Sequence, residues 1–229
     1  MTTGRTARDR ARAELTREIK DAARRQLAID GAERLSLRAV SRELGMVSSA
    51  LYRYFPSRDD LLTELIIDAY DALGSHAEAA AKSRPDPRAA WLAVCQAIRS
   101  WARAHPQEYA LIYGSPVAGY QAPASTIRPA GRVAFVLLGI LAQAQASGVL
   151  TPPAGSPEPS ALLASRLQIL AGAAPGLPPQ ILARTPIAWT QLFGMINFEL
   201  FGQFAGWVDP ADEFFAEATG QLATFLGLS

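Results

Sequence analysis

Between positions 36 and 58 the chain gathers eight side chains that a hydrophobic core would reject: Ser36, Arg38, Ser48, Ser49, Tyr52, Arg53, Tyr54 and Arg58. The chemistry open to this set is hydrogen bonding to a polyanion rather than the making or breaking of bonds. Arginine offers a planar fork that matches two acceptors on a guanine edge or two phosphate oxygens. Serine and tyrosine hydroxyls reach phosphates, and serine also reaches base edges, where it discriminates weakly. On these grounds Arg38 is expected to read a base, and Ser48 and Ser49 to meet base edges or phosphates. Tyr52, Tyr54 and Arg58 are expected to hold phosphates, and Arg53 to do either.

Such a set works only if helices present it on one face. Leu37, Val40 and Leu44 fall three and then four apart, which lines one face of a helix that Ser36 starts. Gly45 follows, the residue that best tolerates the left-handed turn at a helix end. After Met46, the four-residue recurrence of Val47, Leu51 and Phe55 predicts the buried face of a second helix, turning Ser48, Ser49, Tyr52 and Arg53 outward. Two packed helices with one polar outer face form a helix-turn-helix, a DNA reader. A preceding helix over about 12–30, with Leu15, Ile19, Ala23 and Leu27 every four residues, completes a three-helix domain. Ser57 caps a following helix, with Asp60 at the capping-box position, that runs to about residue 81 through Leu61, Leu62, Leu65, Ile66, Ala69, Tyr70 and Leu73.

The stretch SLRAVSRELGMVSSALYRYFPSRDDLL resembles the DNA-binding domain of the tetracycline-repressor (TetR) family of bacterial regulators. The shared marks are Ser36, the Leu-Gly turn at 44–45, Leu51-Tyr52-x-x-Phe55, Ser57-Arg58 and Leu61-Leu62. Tyr54 stands where the family often has His, and Arg58 where it often has Lys; both can still donate to phosphate. The resemblance covers roughly residues 12–70. A second stretch, His105 to Pro116, is similar to an HPxxYxLxYGxP segment in the C-terminal domain of one subgroup.

Composition agrees with a DNA-binding unit joined to something else. Net charge over 229 residues is only +1, but residues 1–62 carry 13 Lys/Arg against 9 Asp/Glu, and the remainder 9 against 12. The Arg-rich residues 1–11 read as a solvated arm, with an arm that touches DNA phosphate or the minor groove as the alternative. With 49% hydrophobic and 19% charged residues the chain is expected to fold into a packed core. A single cysteine, Cys95, rules out an intramolecular disulfide and suits the cytoplasm. The apolar run from Val133 is interrupted by Gln143 and Gln145 and reads as a buried helix, so no membrane partner is expected. His76, His105 and Cys95 have no catalytic or metal-ligand spacing, and Gly-rich phosphate loops and the GxSxG elbow are missing. Catalysis, metal and cofactor are therefore not expected.

The fold expected is all-α: a helix-turn-helix domain over 12–64, with its reader motif at 36–55, and a larger helical domain over 65–229. Fifteen of the 16 prolines lie beyond residue 83 and punctuate helices at about 87–104, 106–113, 125–147, 160–172, 187–206 and 211–227. The resemblance implies that this domain binds an effector and pairs with a second copy through a four-helix interface. Trp91, Trp101, Tyr109, Tyr113, Phe135 and Gln168 are the pocket residues it suggests, although each also fits ordinary core packing. Pairing is assigned to two apolar stripes, Trp189, Phe193, Ile196, Leu200 and Phe204, then Phe214, Ala218, Leu222 and Phe225. The functional expectation is a homodimeric repressor released from a palindromic operator in double-stranded DNA by a small, largely hydrophobic effector. An activator, a ligand-independent regulator, or a ligand-binding or interaction protein with a vestigial DNA domain would share much of this pattern.

Overall fold

The structure, a computed structural model, describes residues 7–208 and 211–228. Among these residues the secondary structure is helical, with one isolated antiparallel bridge between Leu150 and Leu228. The chain divides into two compact units: residues up to Tyr70 together with Gln107–Ile127, and Asp71–Pro106 together with residues from Arg128 on.

In the first unit, α1 (Ala7–Asp30) buries Ile19, Ala22, Ala23 and Leu27 along one face. It starts five residues earlier than expected, so Arg8 and Arg10 lie on a helix; residues 1–6 of the anticipated arm fall outside the described residues. Gly31, at φ 77°, ends α1, and a 3₁₀ turn (Ala32–Arg34) leads into α2 (Leu37–Glu43). Gly45 adopts φ 63°, which lets Met46 N–H close on Ser41 O at 2.8 Å and turns the chain into α3 (Ser48–Leu51). The long α4 (Arg58–Lys82) follows, with Asp60 N–H donating to Ser57 Oγ at 3.1 Å, the cap expected from the sequence. Leu35, Leu37, Val40, Leu51, Phe55, Leu61, Leu62 and Leu65 join the α1 face in one core.

The second unit is built on α5 (Pro87–Ala104), which packs against α10 (Pro179–Leu200) and α11 (Ala211–Phe225). Asp86 caps α5 by accepting from Ala89 N–H at 2.7 Å. Between them in sequence come α6 (Pro106–Tyr113), α7 (Ile127–Ala146), α8 (Ala161–Arg166) and α9 (Gln168–Ala173). Near the chain end Gly227 stands at φ 83°, and a Cβ there would lie 2.4 Å from Thr151 O. Gly227→Ala should therefore lower unfolding stability by about 1–3 kcal/mol in a denaturant titration, through strain and a clash that only backbone movement relieves. An unchanged midpoint would mean that the 151–227 contact is dispensable.

Three sequence expectations change here. Residues 107–127 pack with the first unit rather than the second, because Leu111, Ile112, Val117 and Tyr120 lie against the helix-turn-helix core. The helix expected at 160–172 is interrupted at Leu167, giving α8 and α9. The helix expected at 187–206 runs from 179 to 200 instead. Pro178–Pro179 opens it, Pro186 sits inside it, and Gly202, at φ 78°, follows its C-cap Phe201. Residues 124–146 are long and apolar enough to cross a membrane by length and composition. In the structure, however, α7 buries Val133, Leu137, Leu138, Ile140, Leu141 and Ala144 in the protein core.

Candidate nucleic-acid interface and ligand cavity

The reader geometry follows from a small polar hinge. Ser41, 1% exposed, lies under the turn and donates its hydroxyl to Arg38 O at 3.0 Å. Its Oγ also lies 3.1 Å from the hydroxyl of Ser48, the first residue of α3. Leu51, fully buried, anchors the other end of α3. Beyond Leu51 the turns tighten, with Tyr54 N–H bonding Leu51 O, so that Tyr52 and Arg53 project from the end of the short helix. Ser49, Tyr52 and Arg53 are exposed, as is Arg38 at the second position of α2. Tyr54 is half-buried, and the Arg12 guanidinium of α1 lies 5.1 Å from its ring centre.

Three assignments change. Arg58 donates to the carbonyls of Leu35 at 3.2 Å, Ala32 at 2.8 Å and Glu33 at 3.4 Å, and to Asp59 at 3.1 Å. Its fork brackets the α1–α2 connection rather than standing ready for phosphate. Ser36 is half-buried and its N–H is held by Gln26 Oε1 at 3.1 Å, so it positions α2. Val47, assigned to the buried face by its spacing, is 71% exposed at the N-cap of α3. It lies ahead of the first turn, where the four-residue period does not yet apply. An exposed valine beside serines suits contact with a thymine methyl group in the major groove.

The basic residues further along α1 are occupied within the unit. Lys20 pairs with Asp68 at 2.8 Å, and Arg24 with Asp68, Asp21 and Glu108 at 2.6, 2.7 and 2.9 Å. The exposed cations Arg38, Arg42 and Arg53 thus cluster around the reader, and Arg42 is one that the sequence reading passed over.

Ser41 was likewise unassigned, because a serine at a core position looks like a minor blemish until its partner is seen. Ser41→Ala should weaken DNA binding about three- to ten-fold while costing about 1 kcal/mol in stability, since Ser48 loses its orienting partner. A mobility-shift titration beside a thermal melt separates the two effects. Unchanged affinity would remove the hinge role.

In the second unit a cavity of about 220 Å³ is lined by Trp91 of α5, by Ala134, Leu137, Leu138 and Leu141 of α7, and by Leu170 of α9. Thr185, Pro186, Ala188 and Trp189 of α10 and Leu226 complete it. Of the pocket residues inferred from sequence, only Trp91 lines this cavity. Trp101 is buried in stacked contact with His105, their ring centroids 5.2 Å apart. Tyr109 and Tyr113 pack in the first unit, where Tyr113 meets Tyr70 edge-on at 6.0 Å. Phe135 is 55% exposed and Gln168 is exposed as well. Periodicity gives the face of a helix but not which neighbour that face meets.

The pairing stripe also divides. Trp189 is half-buried and lines the cavity, and Phe193 and Ile196 are buried inside the unit. Leu200, Phe204, Ala218, Leu222 and Phe225 are half-buried, and the Arg184 guanidinium lies 4.5 Å from the Phe225 ring centre. Phe214 is exposed, together with Phe198 and Trp207, which the sequence reading did not name, and Phe201, which it placed beside the stripe. Phe204 gathers three of these rings edge-to-face: Phe198, Trp207 and Phe214 at 5.7, 5.6 and 5.3 Å. Cys95 is fully buried, and burial raises its thiol pKa far above the ordinary value, which leaves it an inert apolar residue.

Residues 19–65 match the family described as bacterial regulatory proteins, tetR family, and residues 91–222 match the tetracyclin repressor-like C-terminal domain. The HTH-type transcriptional regulator Rv1816 of Mycobacterium tuberculosis is 39% identical over 204 residues, spanning 85% of this chain and 84% of its own length. The solved structure of a protein assigned a regulatory role, SCO4313, superposes with a TM-score of 0.76 at 34% identity, covering 96% of this chain and all of that one. FadR of Bacillus subtilis, solved in complex with stearoyl-CoA, shares the fold at a TM-score of 0.53 and 15% identity, over 92% of this chain and 97% of its own.

Proposed function

The chain belongs to the tetR family of DNA-binding bacterial transcriptional regulators, and from that premise we propose that it is a homodimeric repressor. It is released from a palindromic operator when a small, largely hydrophobic effector binds. The carrying observation is the exposed edge of Val47, Ser49, Tyr52 and Arg53, with exposed Arg38 on α2, set on a packed two-helix frame. Arg38 and Arg53 supply charge, Ser48 and Ser49 supply short hydrogen bonds, and Tyr52 and Tyr54 fix register on phosphate.

One reader covers too few base pairs for useful selectivity, so two copies span successive major grooves about 34 Å apart. The exposed aromatic group at the end of α10 and the start of α11 supports pairing, because large apolar patches rimmed by polar residues mark interfaces. An effector that binds one spacing of the dimer better than the other shifts the population away from the DNA-competent form. The His105–Pro116 stretch supports a place in the subgroup it resembles, and the site of action is the cytoplasm.

Selection of bound duplexes from random DNA by the purified protein, at fixed salt, tests the reading. The expected product is a palindrome with half-sites about one turn apart. Weak, sequence-blind binding would overturn it.

A further inference from the structure

Resting on the effector reading above, we infer that the ligand of the α5–α7–α10 cavity is a compact, uncharged, ring-shaped hydrophobic molecule, not a carboxylate, a phosphate ester or a thioester of coenzyme A. Size, wall chemistry and the state of the polar groups lead to this class independently.

An apolar cavity of about 150 Å³ accommodates benzene and stays dry when empty. At about 220 Å³ this cavity has room for a fused bicyclic body such as naphthalene or indole. An extended acyl chain of many carbons exceeds it.

The wall carries no ionisable side chain: its residues are leucines, alanines, two tryptophans, a proline and a threonine. The tryptophans supply broad aromatic surfaces, which favour flat ligands through stacked or edge-on contacts. The Trp91 indole N–H is already donated to Thr219 O at 3.1 Å, so Trp91 offers the ligand carbon surface.

The hydroxyl of Thr185 is occupied for a reason that lies in the sequence. Pro186 interrupts α10 from within and has no N–H for Leu182 O, four residues back. Thr185 Oγ1 donates to that same carbonyl at 2.8 Å. What Thr185 retains is lone pairs, so it can accept one hydrogen bond but cannot donate to an anion without uncovering Leu182 O. A charged head set against this wall would therefore meet no cation and no free hydroxyl donor, at a penalty on the order of 100-fold or more in affinity.

Calorimetric titration of the full chain with naphthalene and indole, against decanoate and octanoyl-CoA, tests this inference. The uncharged bicyclics should bind on the order of 100-fold more tightly than either anion. Ala134→Phe, which fills the cavity from α7, should weaken naphthalene binding at least about ten-fold, with its thermal midpoint reporting that the variant is folded. Should that variant not fold, Leu141→Ala provides the opposite test. It enlarges the cavity and should raise affinity for N-phenyl-1-naphthylamine, a probe larger than the wild-type space. Equal or tighter binding of an anion, binding of none of the bicyclics, or probe affinities indifferent to both substitutions would overturn the inference. Operator release is assayed separately on the selected duplex. Binding of naphthalene without release leaves the ligand class standing and removes effector relief. Release by an anion alone does the reverse.

Discussion

Arg38→Ala should reduce affinity for the operator about 100-fold and relax selectivity at one base pair of each half-site. A bidentate arginine–guanine contact contributes about 1–3 kcal/mol of discrimination, and a symmetric dimer loses it twice. Tyr52→Ala should behave differently, weakening all duplexes about equally, because phosphate contacts position the reader without reading sequence. Neither change should disturb folding. Arg38 is exposed on α2 and Tyr52 is 44% exposed beyond the end of α3, whereas the anchors Leu37, Val40 and Leu51 remain in place. Mobility-shift titrations on the selected operator and on a set of single-base variants, with circular dichroism and sedimentation as controls, read both patterns. Wild-type affinity in folded, dimeric Arg38→Ala would remove Arg38 from the interface. A sequence-dependent loss in Tyr52→Ala would move Tyr52 from phosphate to base.

The helix-turn-helix was legible because local rules and tertiary packing agree there. Leu37 and Val40 bury as their spacing requires, Gly45 takes the left-handed turn, and Ser57 and Asp60 form the cap that their three-residue separation announces. Val47 escaped the rule because α3 begins only after it. Arg58 escaped because a cation near a reader invites a phosphate assignment, and nothing local reveals the backbone carbonyls of 32, 33 and 35 that claim it. The second unit was legible in its helices but not in its neighbourhoods. Trp189 and Trp91, 98 positions apart, meet at one cavity, whereas Phe193, one turn beyond Trp189, is core. Only the pairing of α5, α7 and α10 decides between these outcomes, and that pairing is a long-range property. Pro186 misled in the same way. Read alone it starts a helix, but Thr185 covers the carbonyl it would strand, so the helix continues through it.

Arg99→Met should lower the stability of the second unit by roughly 2–3 kcal/mol, since removing one partner of a buried ion pair strands the other. The Arg99 side chain is 2% exposed and forks onto both carboxylate oxygens of Glu199 at 2.6 and 2.7 Å, with Asp212 Oδ1 at 2.7 Å. One guanidinium therefore ties α5 to the last turn of α10 and the first turn of α11, the two ends that flank the exposed aromatic group. Methionine refills the volume and contact over the Phe215 ring, where the guanidinium carbon lies 4.8 Å from the centre, but leaves Glu199 without its main partner. Glu199→Gln in the Arg99→Met background should recover part of the loss, because no charge is then stranded. The latch also carries a pH dependence. Hydrogen bonding and charge from Arg99 hold the Asp212 pKa below its ordinary value, so its contribution is complete above that value, near pH 4. It is lost as pH falls through the lowered pKa. Arg99→Met removes the larger part of this contribution, Arg103 at 3.2 Å from Asp212 keeping the rest, so its denaturant midpoint should fall less steeply between pH 5 and pH 3 than that of the wild type. Parallel pH profiles for the two proteins would show that the latch does not act in the folded state. If the profiles diverge and the variant also dissociates to monomers, the same guanidinium that holds α10 to α11 also shapes the pairing face.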